Sequence, residues 1–221
     1  MKSNALIIFT RIPIAGKTKT RLQTKLSPEE CASIHKCFLK DIYKKMKELK
    51  HDDIDIIISY NPEGDLNILK EIFYDENKYI KQKINSNNEN EKIYNSMKEV
   101  FDLGYKKCIL IGTDIPEISK ENIIDSFNLL DDNDFVFGPS YDGGYYLVGM
   151  NKYNDVIVNT NSGNLKNILS AVENINLKYS AIENRYDIDE YNDLIELNNR
   201  INNNNIILEN TKNFLNSINL D

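Results

Sequence analysis

The stretch KKCILIGTDIP, residues 106–116, decides the fold class that we predict for this chain. A continuous apolar run ends at Gly112, which predicts a strand buried on both faces of a sheet. Asp114 and Pro116 follow at once, so a carboxylate stands where the buried strand ends. Ligands of open α/β sheets bind at the carboxyl ends of the strands. The functional question is therefore which side chains follow each strand.

Strands and helices alternate along the chain on both sides of this stretch. Short apolar runs predict strands over residues 5–9, 54–60, 79–84, 106–112, 134–138, 145–150 and 175–182. Helical spacing and capping signals predict helices over residues 27–50, 64–73, 91–104, 119–130, 163–175, 189–201 and 209–218. Such alternation is typical of βαβ units, and only the strand pair around residues 139–144 interrupts it. We therefore expect an α/β fold with a mixed, mostly parallel sheet covered on both faces.

Length, charge and composition narrow the function classes. The 221 residues suit one domain over residues 1–221, with a core at about 5–200 and a polar extension at 201–221. The net charge of −7 disfavours general binding of nucleic acid. No apolar run approaches a membrane span and no signal-peptide pattern opens the chain, so no membrane partner is expected. The three cysteines fit a reduced cytoplasmic protein.

Basic residues cluster in the loop after the first predicted strand. Arg11, Lys17, Lys19 and Arg21 stand there around Gly16, in a chain that is otherwise acidic. Arginine binds phosphate as a fork and lysine as a point charge, so this loop can hold a di- or triphosphate. The spacing is not that of a P-loop. A solvated surface loop is the alternative, because charged loops are ordinary.

Carboxylates mark two other segments. Asp114 follows the buried strand, a good place for Mg²⁺, which binds through one or two carboxylates together with substrate phosphates. Asp187 and Asp189 alternate in RYDIDEYNDL, so in extended backbone they point to the same side, and either is a candidate second ligand. The alternatives are structural, since Asp114 can cap a turn and Asp189 can cap the helix that follows.

The segment GPSYDGGYYLVGM, residues 138–150, sets two glycines beside an aspartate and then enters a strand. Asp142 and Gly143 form a common turn pair, so a plain hairpin explains the segment. A ligand lying against bare backbone at Gly143 and Gly144 explains it too. The residues of this segment leave both interpretations open.

Two further patterns carry less weight. Cys31 and His35 share a face of a predicted helix, but a zinc site would need more ligands. Tyr145 and Tyr146 can stack on a base, although neighbouring strand residues face opposite ways and one of them belongs in the core. No Ser–His–Asp arrangement is visible, so nucleophilic hydrolysis has little support.

Four motifs occur in the order of a known family. The segments FTRIPIAGKTKTRL, LIGTDIPEI and GPSYDGGYYLVGM match P-x-x-G-x-x-K-T-R-L, G-[ST]-D-x-P and G-P-x-x-D-G-G-Y-Y-L-x-G. DIDEYNDL matches D-x-D-T-x-x-D-L except at Glu190. Over about residues 5–195 the chain therefore resembles the bacterial DUF2064 transferases. These are related to the 2-phospholactate guanylyltransferases and the molybdenum-cofactor nucleotidyltransferases.

The resemblance implies a single-domain, three-layer α/β/α glycosyltransferase-A fold and a nucleotide-activated substrate. It also implies a divalent metal, Mg²⁺ or Mn²⁺, with Asp114 as the principal ligand and Asp189 as the second. Gly143 and Gly144 would form the close-approach surface of the substrate pocket, with Asp142 reaching the acceptor. The nucleotide phosphates would be bound by residues of the first two motifs and the glycines, namely Arg11, Gly16, Lys19, Arg21, Thr113, Gly143 and Gly144.

Besides Glu190, the chain departs from the family pattern in two further places. The segment that the family writes roughly as G-D-L-G-E-R-M is NNENEKI here, with Glu91 kept and Lys92 in place of arginine. A W-S-T segment after the glycine-rich strand is replaced by residues 159–163. Both departures concern acceptor recognition more than the nucleotide site.

Three functions follow as hypotheses. The first is transfer from a nucleotide sugar, in which Lys19 and Arg21 neutralise the diphosphate leaving group and Asp142 orients or deprotonates a small-molecule acceptor. The second is nucleotidyl transfer from a nucleoside triphosphate to a phosphate or phosphonate acceptor, with release of pyrophosphate. The third is nucleotide binding without turnover.

Overall fold

The computed structural model describes residues 3–83, 89–160, 162–203, 206–218 and 220. Its strands, in chain order, are β1 (Asn4–Arg11), β2 (Ile54–Asn61), β3 (Lys78–Lys81), β4 (Lys107–Ile111), β5 (Phe135–Pro139), β6 (Tyr145–Met150) and β7 (Tyr179–Ala181). Within the described residues they form one sheet in the order β3-β2-β1-β4-β6-β5-β7. Strand β6 runs antiparallel to β4 and β5, and the other pairs are parallel. The predicted mixed, mostly parallel sheet is confirmed.

The helices follow the predicted alternation. They are α1 (Pro28–Met46), α2 (Leu66–Ile72), α3 (Glu89–Asp102), α4 (Lys120–Leu129), α5 (Val156–Asn159), α6 (Leu165–Asn174), α7 (Tyr191–Asn203) and α8 (Glu209–Ser217), with 3₁₀ helices at Thr20–Thr24 and Lys47–Asp52. The sequence analysis missed α5 and the first 3₁₀ helix, because both are too short to show helical periodicity. Strand β7 is shorter than predicted. Ile84, the predicted end of the third strand, lies outside the described residues.

Local sequence signals set the helix starts. The Ser27 hydroxyl accepts from the Glu30 N–H at 3.2 Å, and the Glu30 carboxylate accepts from the Ser27 N–H at 2.7 Å. This is the predicted capping box, and Ser119 with Asn122 repeats it at the start of α4. Gly104 follows α3 with φ +95°, a left-handed conformation that suits the predicted glycine stop.

Alternation along the central strands builds a three-layer structure. On β1, Leu6 and Ile8 pack in one apolar cluster with α1, α2 and α4, whereas Ala5 and Ile7 pack in a second cluster with α3, α5 and α6. All four side chains are buried, which is why the strand reads as a continuous apolar run. The predicted α/β/α layering is confirmed. No helix in the described part of the chain is both long enough and apolar enough to cross a membrane.

A third apolar cluster joins α1 to α7 and α8. Its centre includes Phe38 of α1, Leu194 of α7 and Leu215 of α8. Asp41 of α1, which is 2% exposed, accepts from the backbone N–H groups of Asn210 and Thr211 at 3.0 and 2.8 Å. A carboxylate of α1 thus satisfies N–H groups in the first turn of α8. Helix α8, within the predicted polar extension, therefore packs on α1.

Candidate functional site

A cleft of about 520 Å³ opens at the edge of the sheet where β1, β2, β3 and β4 end. The turn between β5 and β6 and the segment before α7 close its other side. Most of the predicted site residues line it, namely Arg11, Lys19, Arg21, Thr113, Asp114, Asp142, Gly144 and Asp189. Gly16 and Gly143 are not among the described residues that line this cleft. The structure thus brings together residues from four separate motifs, while their roles stay predictions.

Lys19 occupies the centre of this arrangement. Its side chain is 4% exposed and its ammonium group pairs with the carboxylate of Asp114. The same group donates to the backbone oxygen of Ile188 at 2.6 Å and to Asp189 Oδ1 at 3.1 Å. These contacts use all the N–H donors of a lysine. The ammonium group therefore joins the loop after β4 to the segment before α7.

The pKa values of this pair follow from burial and charge. Burial disfavours the ammonium form of Lys19, but the nearby carboxylates of Asp114 and Asp189 outweigh burial and raise its pKa. Burial likewise favours the neutral form of Asp114, but the charge and hydrogen bond of Lys19 outweigh it and lower the pKa of Asp114. Both groups are therefore charged at neutral pH.

Asp187 and Asp189 lie on the same side, as their alternation predicts. Both line the cleft, whereas Ile188 between them is fully buried. Burial raises the pKa of Asp187 to about 6, and the negative charges of Asp142, Asp114 and Asp189 add to the shift. Negative charge at this side of the cleft therefore exceeds what one buried lysine neutralises.

The carboxylates have the donor chemistry of a site for a divalent cation. Carboxylate oxygens are the ligands that Mg²⁺ and Mn²⁺ prefer, and Asp114 and Asp189 already share one cation, the ammonium of Lys19. Among the described residues, no group of three or more His, Cys, Asp or Glu is arranged to hold a metal ion by itself. The residues therefore fit a metal ion that binds together with substrate phosphates, and not one enclosed by protein ligands alone.

The glycine segment is a tight turn and also part of the cleft wall. Ser140 N–H donates to Gly144 O at 3.1 Å, and Gly143 has φ +91°, which glycine adopts without strain. Gly144 lines the cleft, whereas Gly143 faces a shallower groove beside the start of α6. The Ser140 hydroxyl and the Gly144 N–H both donate hydrogen bonds to Asp142. These bonds lower the pKa of Asp142, and the bond from Ser140 contributes most. Asp142 therefore holds the turn in its ionised form.

Several cleft residues were missed by the sequence analysis. Asn61 and Gln82 stand at the ends of β2 and β3, where the rule that ligands bind at strand ends would have found them. The Gln82 amide is buried and donates to the backbone oxygens of Thr10 and Ser59, both at 3.1 Å. Its orientation is therefore fixed by β1 and β2.

His35 is a further cleft residue that the sequence analysis did not place. It is 2% exposed, and its Nε2 lies 3.4 Å from both Thr10 Oγ1 and Arg11 O. Burial lowers the pKa of His35 to about 4, so the ring is neutral at physiological pH. Cys31, one turn earlier, instead packs in the apolar cluster with α7 and α8. The structure therefore gives no support to a zinc pair on α1.

The two segments that depart from the family pattern lie against each other. Asn90, at the start of α3, accepts from the Tyr145 hydroxyl at 3.0 Å and donates to Ser162 O at 2.5 Å. Asn90 and Lys92 line the cleft together with Gly163. Residues 87, 88 and 161 of these segments lie outside the described residues. The described residues of both segments thus contribute to one wall of the cleft, beside the β5–β6 turn.

A family comparison identifies the chain. The model of DUF2064, described as an uncharacterized protein conserved in bacteria, matches residues 45–162. The chain belongs to the DUF2064 family. The matched range contains β4 with Asp114 and the β5–β6 turn with Asp142.

Proteins similar to this DUF2064 chain are named as transferases. The 2-phospho-L-lactate guanylyltransferase of Methanocaldococcus jannaschii is 30% identical over 216 residues, which cover 95% of this chain and 88% of the relative. A crystal structure from Desulfovibrio desulfuricans G20, described as a candidate nucleotide-diphospho-sugar transferase, has a TM-score of 0.87 at 26% identity and covers 98% of this chain and 95% of its own. The 4-diphosphocytidyl-2C-methyl-D-erythritol synthase of Anaerococcus prevotii, with a TM-score of 0.61, 15% identity and coverages of 91% and 99%, shows the shared fold alone. The chain is therefore a transferase of the nucleotidyl- or nucleotide-sugar-transferase kind, as the resemblance implied.

Proposed function

We propose that this DUF2064 protein is a nucleotidyltransferase that joins the nucleoside monophosphate of a nucleoside triphosphate to a phosphate-bearing small molecule. An oxygen of the acceptor phosphate attacks the α-phosphorus, the bond from that phosphorus to the β-phosphate oxygen breaks, and pyrophosphate leaves. The observation that carries the proposal is the cleft in which the cationic loop after β1 faces the carboxylates after β4 and before α7.

The cationic loop supplies charge where the leaving group develops charge. Arg11 and Arg21 are exposed and line the cleft, so their guanidinium groups are accessible to phosphates. Preorganised cations of this kind stabilise the transition state of phosphoryl transfer. Asp114 and Asp189 would hold Mg²⁺ or Mn²⁺, and the chemistry that such an ion supplies when bound is neutralisation of triphosphate charge.

The state of Asp142 favours a phosphate acceptor over a sugar-type hydroxyl acceptor. Its lowered pKa makes Asp142 a weak base, and its Oδ1 accepts the Gly144 N–H at 2.9 Å. A hydroxyl acceptor needs deprotonation as it attacks, whereas a phosphate is already ionised at neutral pH. The predicted role of Asp142 in orienting the acceptor remains compatible with this geometry.

The relatives suggest the substrates with which to begin. The guanylyltransferase from M. jannaschii resembles this chain over nearly its whole length, so GTP and 2-phospho-L-lactate are the first pair. Transfer from a nucleotide sugar is the second candidate function, because the D. desulfuricans structure matches the chain over 98% of its residues.

The test is an assay of products with purified protein and Mg²⁺ or Mn²⁺. Each of the four nucleoside triphosphates is incubated with 2-phospho-L-lactate and with other phosphorylated hydroxy acids, and pyrophosphate is measured. Parallel reactions contain nucleotide sugars, and nucleoside diphosphate is measured. Pyrophosphate that forms only with an acceptor supports the proposal. Nucleoside diphosphate from a sugar donor would support the second candidate, and nucleotide-dependent stabilisation without either product would support binding alone.

A further inference from the structure

The ammonium group of Lys19 occupies the place that the carboxylate pair would offer to a metal ion. Asp114 and Asp189 each accept one of its N–H groups, and Ile188 O accepts another. The lysine side chain is 4% exposed, whereas the side chains of Asp114 and Asp189 are 48% and 39% exposed and face the cleft. In this state the lysine is not available to a phosphate, and one oxygen of each carboxylate is already bonded to a cation.

We propose that Lys19 is the internal counter-ion of this carboxylate pair, which keeps divalent cations out of the nucleotide-free protein. The cation then enters only with the nucleotide, as Lys19 turns from the carboxylates to the phosphates. The first statement concerns the free protein and stands without any catalytic activity. The second rests on the proposed function, because it requires a nucleotide in the cleft.

Electrostatics explains why the two cations compete. A divalent ion placed on Asp114 and Asp189 would lie close to the ammonium group, and like charges at such short range repel. A triphosphate changes this balance, since its negative charges can accept the lysine and supply further oxygen ligands to the metal. Lysine suits such an exchange because its charge sits on a flexible stem.

The carboxylate pair is held in place without Lys19. The backbone N–H of Ile188 donates to Asp114 O at 2.9 Å and so links the two carboxylate-bearing segments. Asp193 in the first turn of α7 accepts from the backbone N–H groups of Asp189 and Glu190, at 3.1 and 2.7 Å. Replacing the lysine with an uncharged side chain therefore removes the buried counter-ion and leaves the segments that carry the carboxylates joined. The exposed Arg21 stays as a weaker partner, with Nη1 at 3.5 Å from Asp189 Oδ2.

The experiment measures Mn²⁺ binding to nucleotide-free protein from the electron paramagnetic resonance signal of the free ion. The variants are Lys19→Met, its double variant with Asp114→Asn, and Lys17→Met. Lys17 is a matched control on the same loop, because its side chain is 56% exposed and pairs with Glu63. We expect Lys19→Met to bind Mn²⁺ at least about tenfold more tightly than wild type, since the repelling charge is gone. The double variant should lose that gain, and Lys17→Met should bind like wild type.

A second measurement, of melting temperature, tests the proposal even if Lys19→Met folds poorly. Loss of the counter-ion leaves two carboxylates close together, so the melting temperature of Lys19→Met should fall and Mn²⁺ should restore it. Adding a non-hydrolysable triphosphate should increase Mn²⁺ affinity in wild type. The proposal is overturned if wild type binds Mn²⁺ without nucleotide as tightly as with it, or if Lys19→Met gains neither affinity nor stability from Mn²⁺. A failure to release pyrophosphate would refute the proposed function and leave the nucleotide-free Mn²⁺ result standing.

Discussion

Two lysines contact the same loop, residues 112–118, and their pKa values shift in opposite directions. Lys19 lies in the cleft beside Asp114, where carboxylates outweigh burial and raise its pKa. Lys45 of α1 donates to Pro116 O at 2.7 Å, and burial lowers its pKa to about 8. Burial alone therefore does not set the pKa of a lysine, because the partners of its ammonium group decide the direction of the shift.

The carboxylates near Lys45 are engaged elsewhere. Asp41 satisfies the start of α8, and Glu117 accepts both Nε and Nη2 of Arg200, at 2.9 and 2.7 Å. Lys45 is left with a backbone carbonyl, which holds the loop but does not offset the cost of burying charge. On the cleft side of the loop, Asp114 therefore forms an ion pair with Lys19. On the α1 side, the hydrogen bond of Lys45 attaches the loop to the helix.

The largest effect is expected from removing charge on the cleft side. Asp114→Asn should lower kcat for pyrophosphate release by about 10²–10³-fold, the usual cost of losing one preorganised charged group. Steady-state kinetics on the proposed reaction measure the change. Asp125→Asn is the matched control, an exposed aspartate on α4 that should leave kcat unchanged. Equal kcat values for Asp114→Asn and Asp125→Asn would show that the charge of Asp114 on the cleft side of the loop does not contribute to the reaction.

A moderate effect is expected from loosening the α1 side. Glu117→Gln should lower the free energy of unfolding by about 1–3 kcal/mol, because it removes the charge from a bidentate bond with Arg200. Both side chains are largely buried, at 10% and 25% exposure, so solvent weakens this pair only slightly. Urea unfolding measures the loss. Glu196→Gln, at an exposed glutamate of α7, should change stability by less than about 0.5 kcal/mol.

The smallest effect has the opposite sign. Lys45→Met should raise the free energy of unfolding at pH 7 by about 1–2 kcal/mol, because it removes a buried charge at the cost of one hydrogen bond. The folded lysine has a pKa of about 8 and the unfolded one the ordinary 10.5. Between these values the unfolded state binds more protons, so the stability of wild type rises with pH. The advantage of the variant is therefore full below pH 8 and fades as the pH approaches 10.5.

Urea unfolding at pH 7 and pH 10 tests this expectation. Lys44→Met is the control, because Lys44 is the neighbouring lysine but is 57% exposed and pairs with Glu209 at the surface. Its stability should follow wild type at both pH values. A destabilised Lys45→Met at pH 7 would mean that the bond to Pro116 outweighs the buried charge, and the proposed difference between the two lysines would be lost.

Most of the fold was predictable because its signals are local. The capping box of Ser27 and Glu30, the glycine after α3 and the apolar run of β4 each depend on neighbouring residues in the chain. The interrupted alternation also predicted the mixed sheet, which β6 confirms. The helix α5 was missed because four residues are fewer than the window in which periodicity is visible.

The sequence predicted which residues line the candidate site, but it did not predict which of them contact one another. Strand ends and motifs indicated Lys19, Asp114 and Asp189 as separate phosphate and metal groups. Their mutual contact joins residues 170 positions apart in the chain and depends on how the sheet brings its loops together. The left-handed backbone of Lys19, with φ +49°, also has no signature in the sequence. His35 was missed for a related reason, because its helix spacing indicates a buried face without saying which strand end it meets.

Asp41 attaches α8, which follows the last described residue of the cleft, to α1. Every described residue that lines the cleft precedes α7, yet the buried carboxylate of Asp41 obtains its hydrogen-bond donors from Asn210 and Thr211. A protease cut before Glu209 would leave all described cleft residues in the larger fragment. If α8 then dissociated, the buried carboxylate of Asp41 would lose these hydrogen-bond donors. Susceptibility to proteolysis at this point should therefore be read as a measure of how firmly α8 holds the whole protein together.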